Sequence, residues 1–200
     1  MSIKKYLINF TLINLILFSS IQKVYSMDPT GFIQLTVNKA SEALKNDFSK
    51  EEKITKLKNI AKETVDIKGI GYYSLGSHRK NLTDDKKKEY LLIFEEYFLK
   101  SFSSRLAEYT DPKIKVDSEK KLNDNYTMVS STLIATSEKP EIKIDWRVKT
   151  KDPNNLLILD VIIEGVSLAK VQKEEFNSII QNNDGDINFL FAGLKKFIDE

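Results

Sequence analysis

Residues 142–149 read Ile-Lys-Ile-Asp-Trp-Arg-Val-Lys, and this alternation of apolar and charged side chains decides the fold. Successive side chains of a β-strand point to opposite faces, so the apolar residues are predicted to share a buried face and the charged residues a solvent-exposed face. The period of two extends over residues 113–164, and segments 125–136 and 156–164 predict two more strands. In the last strand we expect Leu157, Leu159, Val161 and Ile163 on one face and Ile158, Asp160 and Ile162 on the other.

Helical patterns precede the strand region. Asp28-Pro29 is a helix-start pair, because aspartate caps a helix and proline suits its first turn. Residues 49–52, Ser-Lys-Glu-Glu, predict a second helix through a capping box. The glycines of segment 66–76 suggest short helical turns. A long helix is then expected from Thr83 to about Tyr109, with a stripe of aromatic residues that we expect to face the sheet.

Helical patterns also follow the strands. From Ser167 onward the apolar spacing predicts two helices that are divided at residues 182–185, and Asp186 is expected to cap the second. Helices, then antiparallel strands, then helices is the α+β order. We therefore predict a curved antiparallel sheet packed against N-terminal and C-terminal helices, with an apolar pocket between them.

The first 26 residues have the three parts of a secretory signal peptide. Lys4 and Lys5 form the charged start, residues 6–21 are mostly apolar, and Val24-Tyr25-Ser26 supplies short residues before a cut. The alternative is a membrane anchor, but a spanning helix needs roughly 20 mostly apolar residues, and this stretch is shorter and contains asparagines. We expect cleavage after Ser26, one domain over residues 27–200, and a soluble protein that works outside the cytoplasm.

Composition excludes several classes of protein. The chain has 31 basic and 29 acidic residues, and three of the basic ones lie in the expected signal, so a positive surface for nucleic acid is not indicated. There is no cysteine and a single histidine, His78, so neither a Cys/His catalytic pair nor a zinc site of the usual ligands can be built. Asp184-Gly185-Asp186 lacks the glutamate that closes a calcium loop. We expect no enzyme activity and no cofactor.

Several segments resemble the MlaC family of periplasmic phospholipid-binding proteins, also called the toluene-tolerance or ABC-transporter auxiliary family. Residues 73–76 read Tyr-Ser-Leu-Gly, and residues 144–148 read Ile-Asp-Trp-Arg-Val. The most distinctive run is residues 160–168, Asp-Val-Ile-Ile-Glu-Gly-Val-Ser-Leu. The remaining positions of the resemblance are Thr83, Tyr90, Phe94, Tyr97, Tyr109 and Phe176.

The resemblance implies a fold similar to the nuclear-transport-factor-2 (NTF2) class, with phospholipid acyl chains held between sheet and helices and the headgroup left outside. It also implies a soluble periplasmic carrier that shuttles phospholipid between inner and outer membranes, in a Mla-type system that maintains outer-membrane lipid asymmetry. The partners it implies are an inner-membrane ABC transporter complex with an MCE-domain (MlaD-like) subunit and an outer-membrane MlaA-like lipoprotein.

The candidate lipid contacts are apolar and aromatic residues of the segments described above. They are Tyr73, Leu75, Phe94, Phe98, Phe102, Trp146, Val148, Leu159, Val161, Ile163, Val166 and Phe176. Any one of these residues could instead belong to a solid core. Two other functions stay open: an enzyme of the same fold class that uses Asp160 as a base, and an interaction protein of the cell envelope that binds no lipid.

Overall fold

Six α-helices and five β-strands make up the part of the chain that the computed structural model describes, residues 27–137 and 140–200. The predictions for residues 1–26 lie outside this part. The helices are α1 (Pro29–Ala43), α2 (Lys50–Thr64), α3 (Ile67–Leu75), α4 (Asp84–Leu106), α5 (Leu168–Gln181) and α6 (Ile187–Asp199), with a short 3-10 helix at Gly76–Asn81. The strands are β1 (Ile114–Asn123), β2 (Tyr126–Leu133), β3 (Ile142–Lys149), β4 (Leu157–Ile163) and β5 (Val166–Ser167). Among the described residues, no helix is long and apolar enough to cross a membrane.

The helices begin at the capping residues that the sequence predicts. The Asp28 carboxylate accepts a hydrogen bond from the Gly31 backbone N–H at 2.6 Å. Ser49 and Glu52 form both bonds of the capping box, and Asp186 caps α6. Each cap satisfies a backbone donor that has no partner inside the helix. The predicted starts of α1, α2 and α6 are therefore confirmed.

The five strands form one antiparallel sheet in chain order, β1-β2-β3-β4-β5. Val129 of β2 lies opposite Trp146 of β3, and Trp146 lies opposite Val161 of β4, so one apolar face crosses the central strands. Helix α1 covers this face with Ile33 and Val37. The α+β prediction, with strands over the three segments named above, is confirmed. The strands β1 and β5 were not assigned from the sequence.

A β-bulge in β4 corrects the expected alternation of that strand. Arg147 pairs with Asp160 and Val148 pairs with Ile158, so Leu159 is the extra residue between two regular pairs. Ile158 therefore packs in the same cluster as Val161, beneath α1. The prediction that Leu157, Leu159, Val161 and Ile163 share one face is wrong, because a bulge changes which face the residues on either side of it occupy.

The aromatic stripe of α4 packs against other helices, and the expectation that it faces the sheet is wrong. The Phe94 ring meets the ring of Phe176 in α5 edge-on at 6.1 Å, and Tyr90 stacks on Phe191 of α6 at 5.7 Å. The buried Tyr90 hydroxyl donates to the Gly71 carbonyl at 3.0 Å, and burial raises the pKa of this tyrosine. These aromatic rings form the core of the helical half of the molecule.

Gly71 allows α3 to approach α4 closely. A Cβ at this position would lie 2.8 Å from Cδ1 of Phe94, closer than side-chain contacts allow. We expect Gly71→Ala to lower the free energy of unfolding by about 1–3 kcal/mol through overpacking, as measured by urea unfolding. The matched control is Gly193→Ala in α6, where a Cβ would meet nothing within 4 Å. That variant is expected to raise stability by about 0.4–1 kcal/mol. Equal effects of the two substitutions would contradict this account.

Candidate functional site

A cavity of about 540 Å³ lies on the face of the sheet opposite α1, beneath helices α3 and α5. This volume is within the range of roughly 300–1,000 Å³ that is usual for small-molecule sites. The strands, α3 and the start of α5 all contribute to the wall. The lining residues are Asp66, Gly69, Ile70, Tyr73, Leu122, Asn123, Tyr126, Arg147, Lys149, Leu159, Asp160 and Ala169.

The wall of the cavity is mixed in character. Ile70, Leu122 and Leu159 supply apolar surface, and Tyr73 and Tyr126 add aromatic rings, each with one hydroxyl. Two acidic and two basic side chains complete the wall, so its formal charges balance. An amphipathic molecule suits such a wall better than a purely apolar one, because a buried charge needs a polar partner.

Asp160 is the most buried charged residue of the wall, with 2% of its side chain exposed. Its carboxylate accepts from the Ser167 hydroxyl at 2.6 Å and from the Ala169 backbone N–H at 3.0 Å. Ser167 in turn caps α5 by accepting from the Lys170 backbone N–H at 3.1 Å. Asp160 therefore fixes the start of α5 against β4. Beyond these bonds, Arg147 Nη1 lies 3.8 Å from its Oδ2.

The turn between β4 and β5 places Ser167 within reach of Asp160. Glu164 and Gly165 both have positive φ, 48° and 81°, which is the geometry of a tight hairpin turn. A glycine adopts this conformation without steric cost. The spacing of residues 160–168 thus has a structural explanation, since the aspartate, the glycine and the serine close one hairpin and cap one helix.

Lys149 and Asp66 connect the sheet to α3. The Asp66 carboxylate accepts from the Gly69 backbone N–H at 2.9 Å and so caps α3. Its second oxygen lies 3.3 Å from Lys149 Nζ. In addition, the Asp66 backbone N–H donates to the Ile158 carbonyl at 2.9 Å. The entrance to α3 is therefore held against two strands, and α3 forms a fixed wall of the cavity.

A model of the MlaC protein family matches residues 34–196, a span that includes the whole cavity wall. The chain belongs to the MlaC family. A solved structure of the phospholipid-binding protein from Ralstonia solanacearum, in complex with a phospholipid, has a similar fold. Its TM-score is 0.71 at 17% sequence identity, and the match covers 86% of this chain and 97% of that one. At 17% identity, this structural similarity establishes that the two proteins share a fold. No curated protein sequence matches the chain.

Two of the twelve lipid contacts expected from the resemblance to the MlaC family, Tyr73 and Leu159, line the cavity. Five lie in or against the helical core: Leu75, Phe94, Phe98, Phe102 and Phe176. Three lie in or against the cluster between the sheet and α1: Trp146, Val148 and Val161. Ile163 and Val166, at the end of the sheet, are 36% and 53% exposed. The structure thus brings Tyr73 and Leu159 to one site and distributes the others over two solid clusters and the surface.

The sequence did not predict most of the cavity wall, because the wall lies on the sheet face that carries the charged residues of the alternating pattern. Arg147 and Lys149 alternate with apolar neighbours and so were assigned to solvent, yet α3 and α5 partly cover them. Ile70 and Tyr73, three residues apart on one helix, were the available signal for a helical wall. The bulge that directs Leu159 to the cavity has no signature in the alternation pattern.

Proposed function

We propose that this member of the MlaC family binds a phospholipid in the cavity between the sheet and helices α3 and α5. The observation that carries the proposal is the cavity itself, in a chain whose family model spans its wall. The related fold from Ralstonia solanacearum, described as a complex with a phospholipid, supports it. The apolar residues Ile70 and Leu159 would contact acyl chain, and the charged residues would lie nearer the headgroup.

We further propose that the protein carries this lipid between the inner and outer membranes. Each buried methylene is worth about 0.8 kcal/mol, so two acyl chains with roughly thirty carbons represent on the order of 20 kcal/mol when fully buried. A protein that supplies part of this burial can exchange lipid with a membrane. Docking of partners at the cavity mouth would keep the tails out of water during transfer.

The cellular setting is part of the same proposal. Residues 1–26 would act as a cleaved export signal and place residues 27–200 in the periplasm. There the carrier would meet an inner-membrane ABC transporter complex with an MCE-domain subunit, and an outer-membrane MlaA-like lipoprotein, within a lipid transport system that maintains outer-membrane asymmetry. Localisation of the chain with and without residues 1–26 tests the signal.

The alternative with Asp160 as a catalytic base is less well supported. Both oxygens of its carboxylate accept hydrogen bonds from protein groups, and these bonds fix the start of α5. A general base must instead reach a proton of the substrate. We therefore propose a role in binding and transport rather than in catalysis.

The direct test is organic extraction of the purified protein followed by mass spectrometry. We expect phospholipid in a fixed ratio to protein that persists through size-exclusion chromatography. A protein that repeatedly arrives free of lipid, and takes none up from vesicles, would contradict the proposal and favour a lipid-free interaction protein.

A cavity-filling substitution locates the bound lipid. Leu159 has no ladder partner and lines the cavity, so Leu159→Trp adds volume there without breaking a strand pair. We expect bound lipid per protein to fall severalfold by mass spectrometry, with an unchanged circular dichroism spectrum. The control is Leu92→Trp, because Leu92 is 69% exposed on α4. Equal lipid content in the two variants would place the lipid elsewhere.

A further inference from the structure

We propose that Arg147 binds the phosphate of the bound lipid, so that the cavity selects phosphate-bearing lipids over neutral lipids with the same acyl chains. This inference rests on the proposed phospholipid binding and adds the recognition of the headgroup. Arg147 lies on β3 with its side chain in the cavity wall, and 40% of that side chain is exposed. It can therefore be reached by a ligand without unfolding of the protein.

The guanidinium of Arg147 has unused donors. Within the part of the chain that the structure describes, it makes no hydrogen bond, and its ion pair with Asp160 spans 3.8 Å. A guanidinium has five N–H donors in a rigid fork whose geometry matches the oxygens of a phosphate. The Arg147 guanidinium lies in the cavity wall with N–H groups that no described residue accepts from. A ligand with acceptor oxygens could bind these groups.

Asp160 does not accept from these donors in the structure, because its Oδ2 lies 3.8 Å from Arg147 Nη1. Ser167 Oγ and the Ala169 N–H already donate to its two oxygens at 2.6 Å and 3.0 Å. The carboxylate thus offsets the charge of the arginine from just beyond hydrogen-bonding distance. It holds Arg147 near the cavity wall and leaves the N–H groups available.

Lys149 is the second basic residue of the wall, and it is differently engaged. Its Nζ lies 3.3 Å from the Asp66 carboxylate, which ties it to α3. The hydroxyls of Tyr73 and Tyr126, by contrast, make no hydrogen bond among the described residues, although both tyrosines line the same cavity. Arg147, these two hydroxyls and the Asn123 side-chain amide are thus wall donors without an acceptor among the described residues. Phosphate oxygens are acceptors that such a set can bind.

The test is a competition for uptake from mixed micelles that contain phosphatidylglycerol and diacylglycerol with identical acyl chains. The bound ratio is read by mass spectrometry, so it does not depend on how much protein is folded. We expect wild type to prefer phosphatidylglycerol, and Arg147→Met to reduce that preference by roughly 10- to 100-fold, the range for hydrogen bonds to charged groups.

Arg147→Lys keeps the positive charge but lacks the planar set of guanidinium donors, so it is expected to restore part of the preference for phosphatidylglycerol. Arg105→Met, at an exposed site on α4, is the control.

The outcomes separate this inference from the proposed function. If wild type takes up neither lipid, phospholipid binding itself is contradicted. If wild type takes up both lipids and Arg147→Met leaves their ratio unchanged, only the role of Arg147 is overturned. Titration with inorganic phosphate distinguishes a headgroup site from a free-phosphate site. Displacement of phosphatidylglycerol by millimolar phosphate in wild type would overturn recognition of the lipid as a whole, and no displacement supports it.

Discussion

Asp160→Ala is expected to lower the free energy of unfolding by about 2–6 kcal/mol, because each of two donors left without an acceptor in a buried setting costs about 1–3 kcal/mol. The substitution leaves the Ser167 hydroxyl and the Ala169 N–H without their acceptor in a buried setting and removes the carboxylate opposite Arg147. Because Ser167 also caps α5, loss of Asp160 should loosen the first turn of that helix. Urea unfolding followed by circular dichroism measures the effect.

The matched control for this prediction is Asp124→Ala. Asp124 is 96% exposed in the turn after β1, and Lys121 is its ion-pair partner among the described residues, so we expect no measurable change in stability. Asp160→Asn keeps one oxygen acceptor and should lie between wild type and the alanine variant. An Asp160→Ala protein with the unfolding midpoint of wild type would contradict the structural role. A folded Asp160→Asn protein that keeps its lipid and its cellular phenotype would remove the aspartate-base alternative.

Phe94→Ala is expected to cost about 3–5 kcal/mol of stability, the usual range for truncation of a buried phenylalanine. Its ring is fully buried and contacts the rings of Tyr90, Phe98 and Phe176. Since Phe94 is in the helical core and not in the cavity wall, we expect the lipid content of the folded fraction to stay unchanged. Thermal unfolding and mass spectrometry of the same sample measure the two effects.

Phe189→Ala is the control, because Phe189 is 53% exposed on α6 and should cost much less. The comparison with Leu159→Trp is decisive. Phe94→Ala should lower stability and spare lipid content, whereas Leu159→Trp should lower lipid content and spare the fold. Loss of lipid from folded Phe94→Ala protein would assign the aromatic residues of α4 to the lipid site, as the sequence predicted.

Local chemistry accounts for what the sequence predicted well. Aspartate and serine caps, proline at a first helical position and strict alternation in residues 142–149 each act within a few residues, so they can be recognised in the chain itself. The sequence did not predict β1 because only Ile114 and Val116 of this strand pack toward the core and all of its other residues are exposed. β5 has only two residues, too few for a period to show.

Long-range packing accounts for what the sequence could not predict. Both the core and the cavity wall need large apolar residues, and which aromatic residues pack against which helix depends on contacts such as that of Gly71 with Phe94. The position of the β-bulge in β4 depends on pairing with the neighbouring strand. The extra residue in β4 is visible only beside β3, where Arg147 and Val148 take partners two residues apart.

Because of the bulge, the residue at position 159 can differ between proteins of this family without a change in strand pairing. A residue in a regular ladder is constrained by its cross-strand neighbours, but Leu159 has no such partner. Its size can change while Ile158 stays beneath α1 and Asp160 stays bonded to the start of α5. A single substitution at position 159 can therefore change the volume of the cavity while the strand pairing and the helix contacts around it stay the same.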